Sequence, residues 1–261
     1  MNLISFSQRY VTKFCPSEFN VSKGCNTVRV GTLHDFRTIE NENLRDEGEG
    51  TFSYKVEFPV LTKVSPDWLA AFSFQGQASV RVGHLENRGS DLMIKDFTME
   101  GSGHNCWIYC MSLSSDAAGD ISKTHQDKWS VSENKFQEFA NYLGALLWDS
   151  IDVADLPEEI VKRNSFQNIQ KRLKLEIEIR PVDYKERVLH IEQEADLPIQ
   201  QIQALERTMA FIKPVTFALE REVRIAFWVS FDNKLISISN NPKVLSLRPI
   251  DGLLTSEPTE A

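Results

Sequence analysis

The strongest strand signal in the chain is VTFALEREVRIAFWVSF, residues 215–231. Because side chains of a β-strand alternate between its two faces, the segment predicts one apolar face and one mixed face. The apolar face would carry Phe217, Leu219, Val223, Ile225, Phe227 and Val229. The other would carry Glu220, Glu222, Arg224, Ala226 and Trp228. Carboxylates on one side of a strand repel each other, so the pattern predicts either a solvated ion-pair ladder or a carboxylate site at the end of a sheet. Trp228 favours the site, since a solvated face rarely needs a tryptophan.

Shorter strand and helix signals surround this segment. Strands are predicted at 26–33, 51–61, 72–82, 91–100, 106–115, 174–180, 187–191, 234–238 and 243–247, with 174–180 and 187–191 forming a hairpin. Asp232-Asn233 predicts a tight turn before 234–238. One helix is predicted after Ser130 and Glu133, which have capping-box spacing, and another over 199–212. These elements predict an α+β fold with mainly antiparallel sheets and two or three helices.

Composition and charge exclude several classes of protein. The 261 residues include 41% hydrophobic and 25% charged residues, which is ordinary for a folded soluble chain and excludes a disordered one. The net charge of −8 argues against a surface that coats nucleic acid, because phosphate contacts need clustered lysine and arginine. No signal peptide or membrane-length apolar run is recognisable, so we expect a cytoplasmic protein without a membrane partner.

Common catalytic and metal-binding motifs are missing from the sequence. It has no H-E-x-x-H, G-x-S-x-G, P-loop or G-x-G-x-x-G motif. None of the four cysteines forms a C-x-x-C pair, and we expect Cys106 and Cys110 to be reduced core residues rather than ligands of a metal.

Two further signals lie at strand ends. Arg29 stands inside the short apolar strand NTVRVGTL, followed by Gly31, and an arginine there is costly unless it finds an anion. Its planar guanidinium suits a phosphate or carboxylate, although a salt bridge inside the protein would satisfy it equally well. Ser112 and Ser114 close the apolar segment CWIYCMSLSS, which alone says little because serine is common at strand ends.

Taken in order, these residues resemble the Arg, Ser-x-Ser and Glu-x-Glu arrangement of the ADP-ribosyltransferase superfamily. Arg29 would stand on the first core strand, Ser112-x-Ser114 on the second, and Glu220-x-Glu222 at the start of a later one. The chain also resembles a bacterial and phage family with a domain of unknown function, through Gly31 to Arg37, Glu40, Asp46 to Gly50, and Lys213 to Ile225. The resemblance implies one ADP-ribosyltransferase-like domain over 1–252. The superfamily usually has helices where this chain has strand signals, which predicts a β-rich insertion at approximately 51–100, and the polar end of the chain predicts a flexible tail at 253–261.

The resemblance also implies a reaction with NAD as substrate. Glu222 would stabilise the cation that forms when the nicotinamide–ribose bond breaks, and Glu220 would orient or deprotonate the acceptor. Arg29, supported by Gly31, would hold the diphosphate, and Ser112 and Ser114 would line the same site. The acceptor would be RNA, DNA or protein. Members of such families often act as toxins or in phage defence, which implies an antitoxin protein as a further partner.

Two other functions remain open from the sequence. The chain could be a non-enzymatic interaction or sensor module in which the glutamates form salt bridges. It could also be a nuclease in which Asp46, Glu47 and Glu49 join Glu220 and Glu222 around a divalent ion. The charged segment 34–50 is expected to be a mobile surface element near the site.

Overall fold

A computed structural model of the chain describes residues 10–38, 46–72, 77–116, 124–248, 250 and 252–255. The chain divides into two compact units. The first, the core unit, comprises 1–47, 105–183 and 216–261, and the second, the inserted unit, comprises 48–104 and 184–215. The insertion expected at approximately 51–100 falls within the first stretch of the inserted unit, whereas its second stretch was not anticipated.

The secondary structure confirms an α+β fold with mainly antiparallel sheets. The strands are β1 (Tyr10–Cys15), β2 (Thr27–Thr32), β3 (Thr51–Lys63), β4 (Gln77–Arg88), β5 (Asp91–Ser102), β6 (Trp107–Ser112), β7 (Asp127–Ser132), β8 (Leu173–Pro181), β9 (Asp183–Tyr184), β10 (Val188–Ile191), β11 (Ile212–Lys213), β12 (Glu222–Phe231), β13 (Lys234–Ile236), β14 (Lys243–Ser246) and β15 (Leu254–Thr255). The α-helices of the described residues are α1 (Leu33–Thr38), α2 (Pro66–Ala71), α3 (Glu133–Ser150), α4 (Glu158–Arg163), α5 (Phe166–Arg172) and α6 (Ile199–Thr208). None of the helices in the described ranges is long and apolar enough to cross a membrane.

The large sheet of the core unit branches at β6. The antiparallel run is β8–β12–β6–β1–β7–β15, and β12 also pairs with β13. At one end of β6, Ser112 lies opposite Thr12 of β1. At the other end, Ile108 lies opposite Gly31 of β2, which continues to β14. One side of β6 therefore pairs with β1 at one end and with β2 at the other, while its other side pairs with β12. The strands that carry the candidate site residues, β2, β6 and β12, are thus neighbours in the sheet.

Helix α3 packs on one face of this sheet. Its buried stripe includes Phe136, Phe139 and Leu143, and the Phe139 ring lies 5.7 Å from the Trp129 ring of β7, between ring centres. The predicted helix is confirmed, but the predicted capping box is wrong. Ser130 belongs to β7, where its hydroxyl lies 3.1 Å from that of Thr12, because the strand continues to Ser132 before the helix begins.

The inserted unit is built on a second sheet with the order β10–β3–β5–β4. Its core includes Tyr54 and Val56 of β3, Phe97 of β5, Trp68 of α2 and Ile202 of α6. Two predictions are wrong here. Residues 66–71 are helical and the strand predicted from 72 begins at Gln77. The predicted hairpin of 174–180 with 187–191 does not form, since β8 pairs with β12 and β10 pairs in parallel with β3.

Parts of two predicted surface segments form regular secondary structure or are buried. Within 34–50, residues up to Thr38 form α1, and Asp46 and Glu49 are buried, at 5% and 1% exposure. A surface element is therefore the wrong description of those two residues, while 39–45 lie outside the described residues. In the expected tail, Leu254 and Thr255 form β15 against β7.

Candidate functional site

The Glu-x-Glu segment stands at the beginning of β12, which pairs with β6, β8 and β13 in the core unit. The predicted strand is wrong before residue 222, because Val215–Glu220 form a 3₁₀ helix and Arg221 has a φ of +46°. A side chain in that left-handed region costs about 1 kcal/mol or more. Glu220 and Glu222 are therefore separated by a strained turn and do not occupy successive positions of one strand. Both are buried, at 7% and 6% exposure.

The mixed face of β12 is buried instead of solvated. Glu222, Arg224, Ala226 and Trp228 are each exposed by 6% or less. A solvated ladder is thus the wrong description, and the polar groups must find their partners inside the protein.

Arg224 is the principal partner of Glu222. Its Nε donates a hydrogen bond of 2.6 Å to Glu222 Oε1, and its guanidinium is 1% exposed. Cys110 of β6 lies opposite Arg224 on the same face. Burial, followed by the negative charge of Glu222, raises the pKa of the Cys110 thiol and keeps it neutral. The Glu222 carboxylate therefore lies between a buried guanidinium and a neutral thiol.

Ser112 lies directly opposite Glu222 on the neighbouring strand β6. Its hydroxyl donates a 2.8 Å hydrogen bond to the backbone oxygen of Glu220 and accepts one of 3.0 Å from the backbone N–H of Ser114. The N–H of Leu113 donates to the backbone oxygen of Arg221. The end of β6 therefore holds the backbone of the Glu-x-Glu turn at Glu220, Arg221 and Glu222.

Ser114 lies beyond the end of β6 and takes part in a local turn. Its hydroxyl accepts a hydrogen bond of 3.2 Å from the backbone N–H of Asp116. The structure thus brings Ser112 to the glutamates through both side chain and backbone, whereas Ser114 reaches them only through Ser112.

Arg29 lies on the same face of the sheet as Glu222, with β6 between their strands. Gly31 and Ala226 both lie opposite Ile108, so they share a face of the sheet. Side chains two residues apart on a strand share a face, so Arg29 is on the face of Gly31, and Glu222 is on the face of Ala226. Gly31 and Thr32 are the residues of β2 that pair with β6, so two strand spacings, about 10 Å, separate β2 from β12 there, whereas Arg29 lies beyond that stretch and pairs with Val244 of β14. The Arg29 side chain is 44% exposed and donates a 2.5 Å hydrogen bond to Asp35 Oδ2. The expected cost of an arginine inside this strand is therefore absent, because the side chain is exposed to solvent and has a carboxylate partner within the protein.

Gly31 is needed for the close approach of α1. A Cβ atom at this position would lie 3.0 Å from the Phe36 ring and 3.1 Å from Asp35 Oδ2. The absent side chain lets Asp35 lie over β2, beside Arg29. This role is different from the contact with diphosphate that the resemblance implies.

Four polar groups of this face were not predicted as site residues. Trp228 Nε1 donates a 2.9 Å hydrogen bond to Glu178 Oε2 of β8, and Ser230 Oγ lies 3.4 Å from Glu176 Oε1. The alternation of KLEIEIR did predict that Glu176 and Glu178 share a face. What the sequence lacks is the pairing of β8 with β12, which brings this second pair of glutamates beside Trp228.

Comparison of the chain with protein-family models, curated proteins and solved structures gives no match. The resemblance to ADP-ribosyltransferases therefore stays a prediction that depends on the residues described above. Within the described ranges, no group of three or more His, Cys, Asp or Glu residues is arranged to hold a metal ion, and the nuclease alternative gains no observation.

Proposed function

We propose that the protein is an NAD-dependent ADP-ribosyltransferase that modifies a macromolecular acceptor. The observation that carries the proposal is the direct pairing of Ser112 with Glu222 across β6 and β12. Arg29 on the same face supports it. The three residues are far apart in sequence, and the proposed reaction needs them at one side of a sheet.

Glu222 would act on the nicotinamide–ribose bond. As the bond between the ring nitrogen and ribose C1′ breaks, its electron pair goes to the nicotinamide and positive charge develops on the ribose. A fixed carboxylate next to that charge lowers the barrier, and more strongly in a dry site than in water. An oxygen or nitrogen atom of the acceptor then bonds to C1′, and its proton goes to Glu220.

Arg29 would hold the diphosphate of NAD in place of Asp35. An ion pair as exposed as Arg29–Asp35 contributes about 0–1 kcal/mol, so the diphosphate displaces it at little cost. A doubly charged diphosphate also offers the guanidinium a bidentate partner. Ser112 would act as a positioning residue for the Glu-x-Glu turn.

The proposal extends to a biological role as a toxin or phage-defence effector in the cytoplasm. The acceptor would be RNA, DNA or protein, and an antitoxin protein would restrain the activity. These parts and the choice of NAD come from the resemblance, and the site supplies the residues that would carry out the reaction.

A second candidate is a non-enzymatic interaction or sensor module. The observation in its favour is that two charged residues of the site have partners within the chain. Glu222 pairs with Arg224, and Arg29 pairs with Asp35. If this candidate is correct, the two ion pairs only stabilise the fold, and the protein neither binds nor cleaves NAD.

Release of nicotinamide from NAD separates these candidates. We expect purified wild type to release nicotinamide, with water as acceptor where no macromolecule is present. Glu222→Gln should lower the rate by hundreds- to thousands-fold, because several kcal/mol of electrostatic stabilisation are lost. Arg29→Gln should mainly raise KM.

The matched control is Glu158→Gln, the same substitution in an exposed pair with Lys162 on helix α4. It should leave turnover close to that of wild type. Each variant is first checked for its fold by circular dichroism at the assay temperature. A folded wild type that never releases nicotinamide, with or without cell RNA, DNA and protein, would exclude the transferase, and full turnover by folded Glu222→Gln would exclude the role of that residue.

A further inference from the structure

The inserted unit contains a groove that the proposed reaction does not use. Its cavity volume is about 370 Å³, within the range of roughly 300–1,000 Å³ that is usual for ligand sites. Apolar side chains form much of its lining, from Leu189 and Ile191 of β10 to Leu205 of α6 and Ile212. A cavity of this size beside a hydrophobic core favours an occupant with apolar groups.

One wall of the groove is the edge of a sheet. Among the described strands, β10 pairs with β3 alone and ends the order β10–β3–β5–β4. Leu189 and Ile191 point to the same face as the core residues Tyr54 and Val56, with which they are in register. A further strand added to β10 would direct alternate side chains to that face, where the groove lies.

The other wall is helix α6, which runs antiparallel to β10. Leu197 lies between the end of β10 and the start of the helix, and Arg187, just before β10, donates a hydrogen bond of 3.1 Å to the backbone oxygen of Ile212, after the helix. A groove between an edge strand and a helix is the arrangement in which proteins bind extended peptides by strand addition.

Charge is distributed unequally along the groove. The half-buried Lys185 and Arg187 line one end, where the exposed Glu186 and the buried Glu49, 4.0 Å from Arg187 Nη2, offset part of their charge. Asp196 lines the other end. A strand antiparallel to β10 would begin near Asp196 and end near Lys185, so an acidic residue at its C-terminal end would meet the cations.

We propose that this groove binds an extended segment of a partner protein, added antiparallel to β10. The segment carries apolar side chains at two alternate positions, which enter the groove, and an acidic residue on their C-terminal side. Backbone hydrogen bonds to β10 supply affinity, and the groove selects the side chains. The proposal does not depend on NAD chemistry and stands if that chemistry is absent.

A displayed library of random twelve-residue peptides, selected on the full chain, tests the proposal. We expect enriched peptides with an apolar–x–apolar pattern followed by Asp or Glu, and we expect the peptide to slow amide hydrogen exchange at 188–191. Ala204→Trp, an exposed alanine that lines the groove, should weaken binding of the selected synthetic peptide at least tenfold.

Gln203→Trp is the matched control, because Gln203 is exposed on the same helix and does not line the groove. It should change the affinity less than twofold, and Thr208→Tyr is a second groove-filling variant should Ala204→Trp melt early. No enriched peptide, equal binding by the Ala204 and Gln203 variants, or binding without protection of β10 would each overturn the proposal. Binding of anilinonaphthalene sulfonate that Ala204→Trp abolishes, without any peptide, would assign the groove to a small amphiphile instead.

Discussion

Replacing Glu222 by glutamine tests the electrostatics of the site independently of any reaction. The glutamine is nearly isosteric and keeps an oxygen that can accept the hydrogen bond from Arg224 Nε. It removes the negative charge, however, and leaves a guanidinium that is 1% exposed. An arginine cannot escape by deprotonation, since its pKa is too high. The substitution therefore removes the carboxylate charge that lies against the Nε of a buried guanidinium.

The expected loss follows from the burial of both partners. Breaking a buried ion pair by removing one charge costs about 3–5 kcal/mol, against 0–1 kcal/mol for an exposed pair. The hydrogen bond that glutamine retains offsets part of this loss of stability. We therefore expect Glu222→Gln to lower the free energy of unfolding by about 2–4 kcal/mol. Glu158→Gln, in the exposed pair with Lys162, is the matched control and should cost no more than about 1 kcal/mol.

Urea unfolding of wild type, Glu222→Gln, Arg224→Met and the double variant Glu222→Gln/Arg224→Met measures the coupling free energy between Glu222 and Arg224. The double variant should be more stable than Glu222→Gln alone, because methionine replaces the buried guanidinium of Arg224. A Glu222→Gln protein that unfolds within about 1 kcal/mol of wild type, as the exposed control should, would refute the description of this pair as buried and coupled.

Three further outcomes are expected. Gly144→Ala should stay within about 1 kcal/mol of wild type, because the helix propensity of alanine offsets the contact of its Cβ with Ile177 Cδ1, at 2.5 Å, and the same substitution should be more favourable in an Ile177→Val background in urea titrations. Arg221→Gly should raise stability or leave it unchanged, since glycine adopts a φ of +46° without strain, and a clear loss in thermal melts would contradict the strained turn. Burial lowers the pKa of His104, so stability should fall as the pH drops below about 6.5, the value of an unfolded histidine. His104→Gln should flatten that slope between pH 7 and 5 and the exposed His190→Gln should not, and equal slopes would contradict the assignment.

Alternation and turn chemistry predicted the strands, but not always their partners. The turn at Asp232-Asn233 was correctly predicted from its residue types, and both have positive φ. By contrast, the partner of 187–191 depends on the division of the chain at 183 and 184, which no local pattern marks. Tertiary packing decides which strands pair when they are far apart in sequence. Here β10 pairs with β3, and β8 pairs with β12.

The candidate site shows the same limit. The sequence placed Glu222, Arg224 and Trp228 on one face of a strand, and the structure agrees. It could not show that this face is buried, because a mixed face of glutamate and arginine is ordinarily solvated. It also could not show the turn before Glu222, since a non-glycine residue with positive φ leaves no pattern in the sequence.

The two ion pairs of the site differ in how readily a ligand can open them, and this difference orders the proposed events. Arg29–Asp35 is partly exposed and costs about 0–1 kcal/mol to exchange, so the diphosphate can bind there without rearrangement of the core. Glu222–Arg224 is buried, and separating it without replacement would cost about 3–5 kcal/mol. A bound ribose that becomes cationic would replace the arginine as the partner of Glu222 only as the nicotinamide bond breaks. The glutamate would then be held by Arg224 before the reaction and bind the transition state more strongly than the substrate, which is the condition for catalysis by a fixed charge.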